Sequence, residues 1–279
     1  TDLAKRFLRA AGLVIPLAFC LGWIFQGPLL VFKPLAEDDA TVGHLALAFQ
    51  LLSLLQFIPL SVAAAAMPLL SRSALRGDGK DLQFLDLSLR AVVLGTAVLA
   101  IGALAVAEAV VRHALTDAYA PAAALLAPGL LLFGLFAAVV LINNVLIARD
   151  LKAMATGVAI VASLIGTTAI VPMAMEFESL GVMLAMIGGL LLWTTGLLAL
   201  LIRRNDGRLL VSLGRACLVA LSAIIGAVLL PDNPFIQLVG GLSLLFGLTY
   251  LLGAVTENDW RELRSTLGHS SSAKTDTNP

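Results

Sequence analysis

The sequence predicts an all-α polytopic membrane protein with eight transmembrane helices, and three observations carry that prediction. The 279 residues are 59% hydrophobic and only 13% charged, with a mean hydropathy of +0.98. A soluble domain holds about 45–50% apolar and about 25% charged residues. Eight runs approach or exceed the roughly 20 apolar residues that a crossing needs. The basic residues between these runs fall almost entirely in alternate links, as the positive-inside rule requires.

The predicted spans are 10–32, 44–70, 86–111, 122–147, 153–173, 179–202, 209–230 and 235–255. The first follows Lys5, Arg6 and Arg9, a short amphipathic lead-in. It is too long for a signal-peptide core and has no clear small-residue cleavage site. The second is the stretch around which the chain is organised. Pro59 and Pro68 flank Ala63-Ala64-Ala65-Ala66, and Ser71-Arg72 follows. Each proline removes a backbone donor and bends a helix, so this span is predicted to be kinked at both. Its alanines admit a close neighbour. The outer links carry Glu37, Asp38 and Asp39, then Glu176 and Glu178, then the turn Pro231-Asp232-Asn233-Pro234. The longest inner loop runs over 71–85 with Gly77-Asp78-Gly79 at its tip. After the last span, Thr256–Leu267 is charged and reads as helical. Gly268–Pro279 has the composition of a disordered tail.

With the N-terminus cytoplasmic, 16 of the 18 lysines and arginines lie on the inner side, and only Lys33 and Arg112 lie outside. Eight passes then place both ends in the cytoplasm. The chain opens at Thr1 without a methionine, which points to processing or to a fragment of something longer.

Polar residues within a membrane span are functional candidates because lipid offers them no partner. Gln26 in the first span, Gln50 and Gln56 in the second and the pair Asn143-Asn144 in the fourth face either a water-filled cavity or a neighbouring helix. Adjacent asparagines point about 100° apart, so at least one meets protein or a cavity. Glu108 with Arg112 and Asp86 with Arg90 are spaced as ion pairs along one helix. Arg215 lies close enough to the inner end of its span to snorkel. Thr167, Thr168, Thr194 and Thr195 are expected to bond their own backbone carbonyls.

Several classes are excluded or unsupported. The formal net charge is zero, so bulk electrostatics provide no case for a nucleic-acid partner. Cys20 and Cys217 both lie in apolar runs and read as packing residues. Three unclustered histidines provide no metal site. There is no nucleotide-binding signature, no cofactor motif and no nucleophile–base pair, so the reading is a non-enzyme without cofactors.

Val42-Gly43-His44-Leu45-Ala46-Leu47-Ala48, Phe57-Ile58-Pro59-Leu60 and Met67-Pro68-Leu69-Leu70-Ser71-Arg72 resemble the proline-containing helix of polysaccharide and lipid-II flippases. These belong to the multidrug/oligosaccharidyl-lipid/polysaccharide exporter superfamily. Tyr119-Ala120-Pro121-Ala122-Ala123, the stretch Asn143 to Lys152 and Leu180-Gly181-Val182-Met183-Leu184-Ala185 resemble later family motifs in the same order, so the quoted motifs run from residue 42 to residue 185. The resemblance implies a C-terminal lobe of six helices over 1–205 and two peripheral helices over 206–256. A cytoplasmic charged segment and tail occupy 257–279.

The resemblance also implies a function: alternating-access transport of a lipid-linked oligosaccharide or polysaccharide precursor across the bacterial inner membrane. Its partners would be membrane lipids, an undecaprenyl-linked glycan and a missing N-terminal lobe or partner membrane chain. Gln26, Gln50, Gln56 and Asn143 are the candidate cavity residues. Asp150 matches the carboxylate of the family's sodium site, whereas Leu146 stands where that site has an asparagine. Two other readings remain open: a non-transporting, flippase-derived scaffold subunit of a larger complex, and a cation-coupled multidrug exporter. The exporter would call for a buried membrane carboxylate, which the spans do not show.

Overall fold

A computed structural model of the chain describes residues 2–202, 208–230 and 233–252, with only the backbone at 2–10 and 208–210. The predicted tail and charged segment over 257–279 and the Pro231-Asp232 half of the last turn lie outside the described residues. Apart from a 3-10 turn at Asp117–Ala122, the described elements are helices: α1 Asp2–Phe32, α2 Asp39–Leu55, α3 Phe57–Arg76, α4 Lys80–Ala114, α5 Ala123–Ala148, α6 Lys152–Ile202, α7 Arg208–Leu229 and α8 Pro234–Leu251. In lipid this is expected, because an all-helical backbone satisfies its own hydrogen bonds.

Among the described residues, seven stretches are long and apolar enough to cross a membrane. One of them, α6, is 51 residues long. As a straight helix it would measure about 76 Å, far more than the roughly 30 Å of hydrocarbon in a bilayer. It reverses at Glu178, whose φ of 48° and ψ of −129° are non-helical. The reversal produces two arms, 152–177 and 179–202, and brings the number of passes to eight. The arms are antiparallel, as three glycine positions show. A Cβ at Gly196 would meet Val158, one at Gly189 would meet Gly166, and one at Gly181 would lie 1.9 Å from the Met173 carbonyl oxygen. The acidic link at Glu176 and Glu178 is therefore a turn, as its composition implies.

The second predicted span is one stretch, Asp39–Arg76, divided into α2 and α3 at a single residue, Gln56, whose φ of −59° and ψ of −24° remain helical. The Gln56 N–H donates to the Ser53 carbonyl at 3.3 Å in a tight turn. Pro59 falls in the first turn of α3. The interruption at Gln56 lies one turn upstream of Pro59, where the missing Pro59 N–H leaves the helical ladder open. Pro68 lies within α3, which continues past it to Arg76.

The helix ends are locally encoded. Asp38 Oδ1 accepts from the Thr41 N–H at 2.6 Å and caps α2, and Asn233 caps α8 ahead of Pro234. α3 stops at Gly77, with φ of 67°. α5 stops at Asp150 with φ of 58°. There the Asp150 N–H donates to Ile147 and the Leu151 N–H to Leu146. This is a Schellman ending with aspartate in the position usually taken by glycine.

α5 is the central helix. The apolar window containing it is 72% buried, because α2, α3, α4 and α6 all pack around it. Phe136 of α5 meets Phe25 of α1 edge-to-face at 5.1 Å. α7 and α8 attach chiefly to α4, through a separate cluster of Ala97 and Ile101 with Val219, Ala220, Ala223, Ala227 and Leu245. Near the C-terminal end of α4, Arg112 pairs with Glu108 at 2.6 Å, with both side chains more than half exposed. Such a pair is worth little. Glu108→Gln is expected to change stability by less than about 0.5 kcal/mol in thermal unfolding of the solubilised protein.

Candidate functional site

Two regions concentrate polar groups. The first is an open face formed by α1, α2 and α3. On α1 the exposed residues Ile15, Phe19, Gly22, Gln26 and Leu30 recur at helical spacing. On α2 and α3 the corresponding exposed stripe is Gln50, Leu54, Phe57, Ser61, Ala65, Pro68 and Arg72. Phe25 and Phe49 touch edge-to-face, with ring centroids 6.3 Å apart. This contact sets the register of α1 against α2. Gln26 and Gln50 each follow one of these rings by one residue, so they lie at the same depth, and both are exposed. Gln56 is half-buried at the α2–α3 break, two turns further along. Pro59 is buried beneath this face, while Pro68 is exposed on it.

Asn143 is placed elsewhere. It is 2% exposed within α5, and neither its amide nitrogen nor its carbonyl oxygen has a partner. Its neighbour Asn144 donates to the Val140 carbonyl at 2.8 Å. Asp150 is 83% exposed and pairs with Lys152 at 3.0 Å. Leu146 is fully buried and offers no oxygen. Among the described residues no group of three acidic, histidine or cysteine side chains is arranged to hold a metal.

The second region is a buried polar clamp at the basic ends of α3, α4 and α5. Asp81, in the first turn of α4, is 1% exposed. Arg149, at the end of α5, donates to it through Nε at 2.5 Å and Nη2 at 3.1 Å. The Asp81 N–H donates to Ser73 Oγ of α3 at 2.9 Å, and the Ser73 hydroxyl donates to Asp78 at 2.5 Å. That hydroxyl, followed by the Lys80 N–H, holds the Asp78 carboxyl below its ordinary range. A neighbouring pair extends the polar layer. Asp86 pairs with Arg90 at 2.8 Å, as the spacing predicts, and accepts from Ser212 of α7.

Thr168, Thr194 and Thr195 each bond a carbonyl three or four residues back, as expected. Thr167 does not. Its Oγ1 accepts from the indole Nε1–H of Trp23 at 3.0 Å, tying α1 to the first arm of α6. Gly27 makes room for that indole, because a Cβ there would lie 2.1 Å from the Trp23 ring.

No family model matches the chain, and no curated protein matches it. Among solved structures, lipid II flippase MurJ in its inward closed conformation is similar, with a TM-score of 0.59 at 15% identity. The alignment covers 93% of this chain and 56% of that one. At this identity the likeness establishes fold: this chain is an all-α, multi-pass membrane protein that shares its architecture with part of a flippase. The chain spans little more than half the length of that protein.

Proposed function

We propose that this chain is one lobe of a flippase for a lipid-linked oligosaccharide or polysaccharide precursor, corresponding to the C-terminal lobe with its two peripheral helices. The observation that carries the reading is the fold match over 93% of this chain but only 56% of the flippase. An exposed face carrying two amides at one depth supports it. In this reading a second lobe, on further polypeptide or a partner chain, faces α1–α3. Rocking of the two lobes alternates access to the space between them. Gln26, Gln50 and Gln56 bond the hydroxyls of an undecaprenyl-linked glycan, and the inner membrane of a bacterium is the setting. The chain does no covalent chemistry. In the complete protein, Gln50→Ala with Gln56→Ala is expected to lower glycan export severalfold at unchanged expression. Unchanged export removes the assignment.

A second reading is a scaffold subunit that keeps the lobe without transporting. One observation favours it. Among the described residues, the exposed stripes of α1–α3 carry basic side chains only at the end of α3, at Arg72 and, one turn on, Arg76, whereas a pyrophosphate-bearing substrate calls for cations. Under this reading the same glutamine variants leave export intact, and disrupting the exposed face of α3 releases the chain from its complex.

A further inference from the structure

The strongest unassigned feature lies where α1 crosses both arms of α6. A groove of about 490 Å³ between α1 and the first arm is lined by Ile15, Phe19, Trp23, Ser163, Leu164 and Thr167, among others. Behind it is a recess of about 10 Å³, walled by Trp23, Ser163, Gly166, Gly189 and Trp193. Trp23 and Ser163 belong to both spaces, so the two adjoin. The recess exists because Gly166 and Gly189 lack side chains: a Cβ at Gly189 would lie 2.8 Å from the Gly166 Cα.

Two polar atoms in the recess wall have no partner. Trp193 is 1% exposed and its Nε1–H finds no acceptor, while the Ser163 hydroxyl has neither donor nor acceptor. In a spanning segment this is costly, because lipid satisfies neither group and an unmet buried polar group loses about 1–3 kcal/mol. The other indole of the crossing, Trp23, has solved the same problem with Thr167.

We propose that the recess binds a single water molecule that joins the second arm of α6 to the first. The water accepts the Trp193 Nε1–H and exchanges a hydrogen bond with Ser163 Oγ. The size fits, since a site for one water needs roughly 10–15 Å³ of space for the probe and at least two polar partners. The groove is the entry path, and its apolar walls explain why one water, not a chain of them, is held. The groove shares Ile15 and Phe19 with the exposed stripe of α1, but the two groups that would hold the water, Ser163 and Trp193, are not residues of the open face, so the site does not depend on the glycan reading.

The test is an experimental structure of the full chain in its native assembly at about 2 Å, together with resonance Raman spectra of the indole N–H. The Trp193 band is assigned by difference from Trp193→Phe. The expected result is one density peak within hydrogen-bonding distance of both atoms and an indole band at the hydrogen-bonded position. In Ser163→Leu, whose methyls fill the recess, the band moves to the free-indole position while Trp23 is unchanged. A wild-type band already at the free position, or a recess without density, overturns the proposal. So does a Trp193 N–H bonded directly to a protein carbonyl.

Discussion

Arg149→Ala is expected to destabilise the protein by about 3–5 kcal/mol, the usual cost of removing one partner of a buried ion pair. The cost arises mainly from what remains. Asp81 is 1% exposed, and without the guanidinium its carboxylate keeps the Ser73 hydroxyl, 3.3 Å from Oδ1, but no cation. The clamp joins three helices, because Ser73 is on α3, Asp81 on α4 and Arg149 on α5. The loop expected over 71–85 is in the structure only the turn at 77–79 between α3 and α4, and loss of the clamp therefore loosens that turn against the central helix as well as costing stability. Thermal unfolding in detergent or nanodiscs reads the effect directly. Replacing both partners, Asp81→Leu with Arg149→Met, is expected to recover most of the loss, since no uncompensated charge is left. An Arg149→Ala protein that unfolds with the wild type, or a double variant worse than the single, contradicts this account of the clamp.

Gly181→Ala is expected to have the second large effect. Its Cβ would lie 1.9 Å from the carbonyl oxygen of Met173 and 2.4 Å from the carbonyl carbon. Both are backbone atoms, so no side chain can swing aside and the two arms of α6 must part at their turn. Overpacking a filled interior costs about 1–3 kcal/mol when side chains yield, and here the cost is expected at the upper end or beyond. Gly157→Ala is the matched control: nothing lies within 4 Å of its added Cβ. Alanine is the better helix former by about 1 kcal/mol, so that variant is expected to be neutral or stabilising. The pair of melting curves separates steric loss at the reversal from a general effect of removing glycine. Equal melting temperatures for the two variants would show that the arms do not meet as described.

The passes were legible because each is a local property. A run of apolar residues of bilayer length, followed by acidic or turn-forming residues, marks a crossing and its end whatever the rest of the chain does. Thus Glu176 and Glu178 mark the reversal of α6. What periodicity concealed was the place of the interruption, at Gln56. Pro59 and Pro68 are visible as prolines, but which residue a proline interrupts depends on where the preceding turn closes. Here it closes at the Gln56 N–H to Ser53 bond. The clamp was illegible for a different reason. Asp81 and Arg149 are 68 positions apart. Individually they are an acidic residue within the expected 71–85 loop and one of the inner-side basic charges, and only the packing of α4 against α5 makes them a pair. Thr167 escaped similarly, because its bond to Trp23 crosses 144 residues, whereas its neighbours bond within one turn. Of the candidate cavity residues, Gln26 and Gln50 share a depth through the Phe25–Phe49 contact. No reading of either helix alone shows that register.

The most direct test of the flippase reading is the environment of that open face in the complete assembly. Gln26→Cys and Gln50→Cys are introduced singly, with Cys20 and Cys217 replaced by serine or alanine, and exposed to a membrane-impermeant maleimide and to a lipid-soluble one. If α1–α3 line a substrate cavity, both positions react with the water-soluble reagent, from one side of the membrane in each state, and an undecaprenyl-linked glycan slows the reaction at both. If both positions react only with the lipid-soluble reagent and the glycan has no effect, the face lies against lipid or a docked protein, and the chain is not the substrate-facing lobe of a flippase.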